Sequence, residues 1–291
     1  MSGNKTLLIL GNGFDLDLGW KTSYADFYKS KKDDCKYYIG ANKFFVEASF
    51  DCWCNLEMYL RNCAITIKTE EDAEALWYLW ICWRSNLFVY LYREACKIVD
   101  EKSCAYSLLN SVKDCRIASF NYTNPFETVL NKDVDVFHVH NSLNETNAGV
   151  PKIIIGFDET AIKENPIIES NESLRVMTKS ISDNNDKVDR KSHLLQLLRN
   201  SDNIVFYGLS LSITDSDYFK KFFEMLITGG LPQKNLYFVT KNPKGLEDMK
   251  KNMEVWGINY DDLVLSRNEV VCVYTDNGSD NTDFKRLLGI I

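Results

Sequence analysis

Four short segments carry residue types that can do chemistry, and each follows an apolar run. Gly11-Asn12-Gly13-Phe14-Asp15 comes directly after Thr6-Leu7-Leu8-Ile9-Leu10. Glycine accepts positive φ and allows a closer backbone approach than any Cβ would permit. Gly11, Asn12 and Gly13 are therefore expected to turn backbone N–H donors toward a phosphate. A dinucleotide fingerprint would place a third glycine at position 16, where Leu16 stands; the next glycine is Gly19. Asn121 closes the apolar run 117–120. Its amide, with two donors and an acceptor, either faces the cleft or bonds its own turn. In Val136-Phe137-His138-Val139-His140 the alternation puts both imidazoles on one face of a strand. Imidazole titrates near working pH, which suits His140 to general-base work, with His138 as second choice. Finally, Gly208-Leu209-Ser210-Leu211-Ser212-Ile213-Thr214-Asp215 joins an apolar run to a helix start. Backbone N–H groups and hydroxyls there suit a phosphate or ribose, although an N-cap by Ser212 or Thr214 would use one hydroxyl.

Elements that could bring these segments together follow from the pattern. The chain reads as α/β: a Rossmann-like parallel sheet flanked by helices, with a helical insertion after the first strand. Strands are expected at 5–10, 117–120, 134–140, 152–156, 203–208, 235–240 and 269–274. Helices are expected at 215–226, 244–256 and 280–288. Regular alternation of this kind implies right-handed crossovers and a parallel sheet. Ligands in such sheets bind at the carboxyl ends of the strands, where all four segments fall. Residues 1–23 and 114–291 form the expected nucleotide-binding core. Residues 24–113 form the insertion, rich in aromatic residues and cysteine, and Ser23 with Asp26 resembles a capping box at its start. Ala73, Leu76, Trp77, Trp80, Trp83 and Leu87 recur at helical spacing, and core packing is their expected use. The polar stretch 158–192 reads as a loop or lid.

Composition narrows the classes. With 45% apolar and 26% charged residues the chain reads as an ordinary globular protein. No apolar run approaches the ~20 residues of a membrane helix, and no leader is visible, so a cytoplasmic location without membrane contact is expected. A net charge of −7 argues against direct nucleic-acid binding. Nine cysteines without a Cys-x-x-Cys, including Cys52 and Cys54 beside Trp53, are expected to pack as small hydrophobes. With three histidines besides, no metal site is expected.

Taken together the segments resemble the bacterial abortive-infection family AbiH. The resemblance lies in Leu10-Gly11-Asn12-Gly13-Phe14-Asp15 with Gly19, Thr22-Ser23-Tyr24-Ala25-Asp26-Phe27 and Phe120-Asn121-Tyr122-Thr123-Asn124. It continues in His138-Val139-His140 and in Tyr207-Gly208-Leu209-Ser210-Leu211-Ser212 with Asp215 and Asp217. More remotely the order is similar to sirtuin-like NAD-binding proteins. That resemblance implies NAD as ligand or substrate, with Asn121 and His140 catalytic. It also implies Gly11, Asn12, Gly13, Phe14 and Asp15 at the diphosphate and nicotinamide ribose, and Gly208, Ser210 and Leu211 at the adenosine half. The implied activity is hydrolysis of the nicotinamide–ribose bond during phage infection. The alternative is a nucleotide sensor or scaffold that does not cleave. A homo-oligomer or a phage-derived trigger is compatible with either. The chain departs from the pattern at Asn141, where the family has glycine; asparagine is the usual substitute at positive φ. It departs again at Leu209 in place of histidine, and at Thr123, where sirtuin-like enzymes carry an acid. The zinc-binding cysteine module of deacetylases is missing, so protein deacetylation is not expected.

Overall fold

A computed structural model describes residues 5–31, 56–147, 150–179 and 189–291. Cys35, Cys52, Trp53 and Cys54, and the polar run 180–186, lie outside the described residues. Two compact units emerge. One comprises Met1–Trp20, Ala95–His140 and Arg190–Ile291; the other comprises Lys21–Glu94 and Asn141–Asp189.

The first unit is built on a six-stranded sheet. Its strands are β1 (Thr6–Leu10), β2 (Cys115–Ser119), β3 (Val136–His138), β4 (Asn203–Tyr207), β5 (Asn235–Thr240) and β6 (Glu269–Tyr274). They lie in the order β3-β2-β1-β4-β5-β6, all parallel. β1 and β4, apolar after Thr6 and Asn203 at their starts, are buried along their whole length, as strands with both sheet faces covered must be. On one face the helix Ser216–Ile227 presses Tyr218, Phe219, Phe222, Phe223 and Leu226 into the core. Phe206 on β4 stacks on Phe238 on β5, ring centroids 5.0 Å apart. The chain reverses its direction of sheet growth between β1 and β4, and register aligns Leu10 with Tyr207 and with Ser119. The loops leaving β1, β2 and β4 therefore start level with one another.

The second unit contains the helices Tyr24–Lys31, Leu56–Thr66 and Glu70–Ala95. Ser23 caps the first: its Oγ accepts from the Asp26 N–H at 3.1 Å and donates to the Asp26 carboxylate at 2.5 Å. Glu70, Glu71 and Asp72 open the long helix and Arg93 closes it, a charge order that favours the helix dipole. Trp80 and Trp83 are buried.

Two expectations need correction here. Residues 152–156 are not paired as a strand: Ile153, Ile154 and Ile155 are buried, but Trp80 Nε1 donates to the Ile155 carbonyl at 2.8 Å. The stretch 158–192 is not a plain loop. Its described part carries the short helices Thr160–Glu164, Ile167–Ser170 and Glu172–Arg175, and Arg190–Arg199 begins within it. Long-range polar contacts hold these helices. Arg61 pairs with Asp158 at 3.1 Å, Lys179 with Glu57 at 2.8 Å, and Asn165 donates to the Ala64 and Ile67 carbonyls.

Among the described residues, no helix is long and apolar enough to cross a membrane. Burial pushes the Cys104 thiol up to about 12, with Asp17 adding to it, and the Cys115 thiol up to about 11. Both therefore stay protonated and inert at neutral pH.

Candidate functional site

The loops after β1 and β4 meet backbone to backbone. Gly11 N–H donates to the Tyr207 carbonyl at 2.8 Å, and Gly13 N–H to the Gly208 carbonyl at 2.9 Å. A Cβ on Gly11 would lie 2.7 Å from the Gly208 oxygen, and one on Gly13 would lie 2.6 Å from the Gly208 Cα. Gly208 sits at φ +66, and its own Cβ would fall 2.5 Å from Gly13 Cα and C. The three glycines thus allow two loops to interlock. Two of the three N–H groups expected to face a phosphate are instead engaged with carbonyls at the end of β4 and in the loop after it. Asn12 is exposed at the start of the short helix Asn12–Asp17. Phe14 is fully buried, its N–H on the Gly11 carbonyl and its ring edge-on to Tyr207 at 4.9 Å.

From the end of β2, Asn121 reaches back to the β1 loop. Its Nδ2 donates to the Gly11 carbonyl at 3.0 Å and to Asp15 Oδ1 at 2.9 Å. Thr123 Oγ1 donates to Asp15 Oδ2 at 2.6 Å. Asp15 is only 1% exposed, so its carboxylate is held by donors rather than by water. The Asn121 amide does not simply bond its own turn; its N–H does so, to Ser119 Oγ at 3.1 Å. Thr123, marked in the sequence as a missing acid, here completes the hold on an acid from another loop.

β3 delivers the histidines. His138 Nδ1 lies 3.0 Å from the Asn121 carbonyl, and the Arg190 guanidinium donates to the His138 carbonyl. His140, past the strand end, is 5% exposed and has Phe120 and Tyr218 rings edge-on at 5.3 and 5.8 Å. Asn141 adopts φ 63, the left-handed turn expected of an asparagine standing for glycine. Sequence reasoning passed over Asp17. It accepts from the Tyr207 hydroxyl and from the Ala105 N–H, both at 2.7 Å. Burial first, then Asp17, raises the Tyr207 hydroxyl well above its ordinary range, so it remains a donor.

In the β4 loop, Ser212 and Asp215 form a capping box, with the Ser212 N–H on Asp215 Oδ2 at 3.2 Å. Thr214 Oγ1 lies 2.8 Å from Ser212 Oγ, so two hydroxyls of the run serve the helix start. Ser210 is exposed, and its carbonyl accepts from Asn252 Nδ2 at 2.8 Å. Leu211 is fully buried and holds φ 48, a strained value for a bulky residue. Losing its side chain should cost about 3 kcal/mol in Leu211→Ala. Glycine ordinarily costs about 1 kcal/mol more than alanine, but it also relieves ~1–2 kcal/mol of left-handed strain. Leu211→Gly is therefore expected to be no less stable than Leu211→Ala in urea unfolding. A glycine variant weaker than the alanine variant would contradict the strain.

The structure therefore brings Gly11, Gly13, Asp15, Asn121, His138, Gly208 and the buried Leu211 together in linked loops at the carboxyl edge of the sheet. His140 stands beside them in an aromatic setting, and Asn12 and Ser210 are exposed at the rim. Among the described residues, no three His, Cys, Asp or Glu side chains gather as a metal site. Comparison with curated proteins and with solved structures finds no match. The family model described as bacteriophage abortive infection AbiH does match, over residues 7–229, a span that includes every segment of the site. With most of its length covered in this way, the chain belongs to the bacteriophage abortive infection AbiH family.

Proposed function

We propose that this protein serves phage defence by binding NAD at the carboxyl edge of its sheet and hydrolysing the nicotinamide–ribose bond. Abortive infection is the role its family carries. The observation that carries the ligand reading is the strand order, which reverses between β1 and β4, with glycine loops on both sides of the reversal. A crevice at such a point is where open α/β sheets take dinucleotides.

The residues are assigned accordingly. Gly11, Gly13 and Gly208 let the two loops close on each other, and the buried Phe14 and Leu211 anchor them. The exposed Asn12 takes the diphosphate, and the exposed Ser210 takes the adenosine half. Asp15 orients the Asn121 amide, whose oxygen directs a ribose hydroxyl or the attacking water. In the reaction, water oxygen attacks the ribose anomeric carbon as the carbon–nitrogen bond breaks. That electron pair neutralises the pyridinium nitrogen, so nicotinamide leaves without a general acid. His140 takes the proton from water, and ADP-ribose remains. The transition state resembles an oxocarbenium ion, as in glycoside hydrolysis.

One observation favours a second reading, a sensor that binds without cleaving. Both Asn121 amide donors are engaged, with Gly11 and Asp15, as a structural clamp would have them. Nicotinamide release from NAD by the purified chain, beside His140→Gln, tests both. The expected result is release that falls about 10²–10⁴-fold in the variant while its melting temperature holds. Calorimetric binding of NAD with no release would favour the sensor. Neither binding nor release would overturn both readings.

A further inference from the structure

The long helix Glu70–Ala95 turns an apolar stripe to solvent. Tyr78 is 67% exposed, Ile81 36%, Val89 44% and Tyr92 56%, and Ser85 between them is exposed too. The outer face of such a helix is ordinarily polar. At about 100° per residue, positions 78, 81, 85, 89 and 92 fall within a narrow band of the helix surface. Over 14 positions this makes a stripe roughly 21 Å long at ~1.5 Å per residue. Its spacing is a palindrome: three, four, four and three residues, centred on Ser85.

We infer that this stripe is the contact face of a homodimer, in which two copies of the helix pack antiparallel about a two-fold axis at Ser85. A two-fold contact must be self-complementary, because each residue meets its counterpart reflected through the axis. The stripe meets that condition. Tyr78 of one copy faces Tyr92 of the other, Ile81 faces Val89, and the small Ser85 side chains meet at the axis and let the helices approach. Charge selects the same orientation. Glu71 and Glu74 lie at one end of the helix and Arg93 at the other, all exposed. Antiparallel packing brings each Arg93 toward the partner's acidic end, and opposes the helix dipoles favourably. Parallel packing would set acids against acids. A contact of one helix per copy is at the small end of specific interfaces, so the dimer is expected to dissociate in the micromolar range. The inference stands independently of what the sheet edge binds.

Sedimentation of the full chain across the micromolar range is the test. The wild type should pass from monomer to dimer with concentration. Ile81→Glu combined with Val89→Glu should stay monomeric throughout, with unchanged circular dichroism and melting, since both residues are on the surface. Under mild oxidation Ser85→Cys should give a disulfide-linked dimer, and Tyr78→Cys should not, because its own counterpart lies at the far end of the contact. A wild type that stays monomeric, a dimer that survives the paired glutamates, or linkage through Tyr78→Cys but not Ser85→Cys would each overturn the inference.

Discussion

Gly208→Ala is expected to cost more than about 4 kcal/mol of stability, a loss reserved for changes that break a packed or strained centre. Two effects add. A left-handed backbone costs a side-chain-bearing residue ~1–2 kcal/mol. The larger effect is steric: the new Cβ would lie 2.5 Å from Gly13 Cα, Gly13 C and Phe14 N, all backbone atoms. None of them can rotate away. Relief would require moving the start of the helix Asn12–Asp17, which breaks the Gly13 N–H bond to Gly208 and the edge contact of Phe14 on Tyr207. Gly257→Ala provides the control. Gly257 has φ +79 with nothing within 4 Å of its Cβ position, so it should lose only the ~1–2 kcal/mol backbone contribution. Urea unfolding of the two variants separates them directly. Equal losses would mean that the β1 and β4 loops do not interlock as described.

That interlocking shows what could be read in the sequence and what could not. Glycine announces that something comes close, but not what. Gly11 and Gly13 were legible as positions of close approach, whereas the approaching group is Gly208, some 195 residues away, and not a ligand phosphate. Strands bounded by turn residues on both sides were legible to the residue: β5 and β6 begin and end where expected. Residues 152–156 have the same apolar signature but no strand partner. An apolar run signals burial, and only the neighbours decide whether it is buried by a sheet or by Trp80. The helices within 158–179 are four or five residues long, too short to show a period. They depend on Arg61 and Lys179, contacts that span about a hundred residues and leave no local trace. Local signals fared better. Ser23 caps its helix, and Asn141 takes the turn a glycine would take.

The Asp15 carboxylate is where the second large loss is expected. Asp15→Ala removes the acceptor of two hydrogen bonds made to a charged group, each worth about 1.5–3 kcal/mol. It also leaves an Asn121 amide hydrogen and the Thr123 hydroxyl buried without that partner, so about 3–6 kcal/mol should be lost. Asp15→Asn keeps the shape. Its amide oxygen can accept from Asn121, and its amide nitrogen can donate to the Thr123 oxygen, so about 1 kcal/mol is a fair expectation. Thr123→Val tests the Thr123 side of this hold. Because the two side chains share a hydrogen bond, combining Asp15→Ala with Thr123→Val should cost less than the sum of the two, with coupling of roughly 0.5–3 kcal/mol, as contacting residues show. Strict additivity in urea unfolding would mean that the 121–124 turn is held by its own backbone. Coupling would mean the reverse: the β1 and β2 loops are fixed to each other through the bond of Thr123 to one buried carboxylate, the same carboxylate that takes the Asn121 amide.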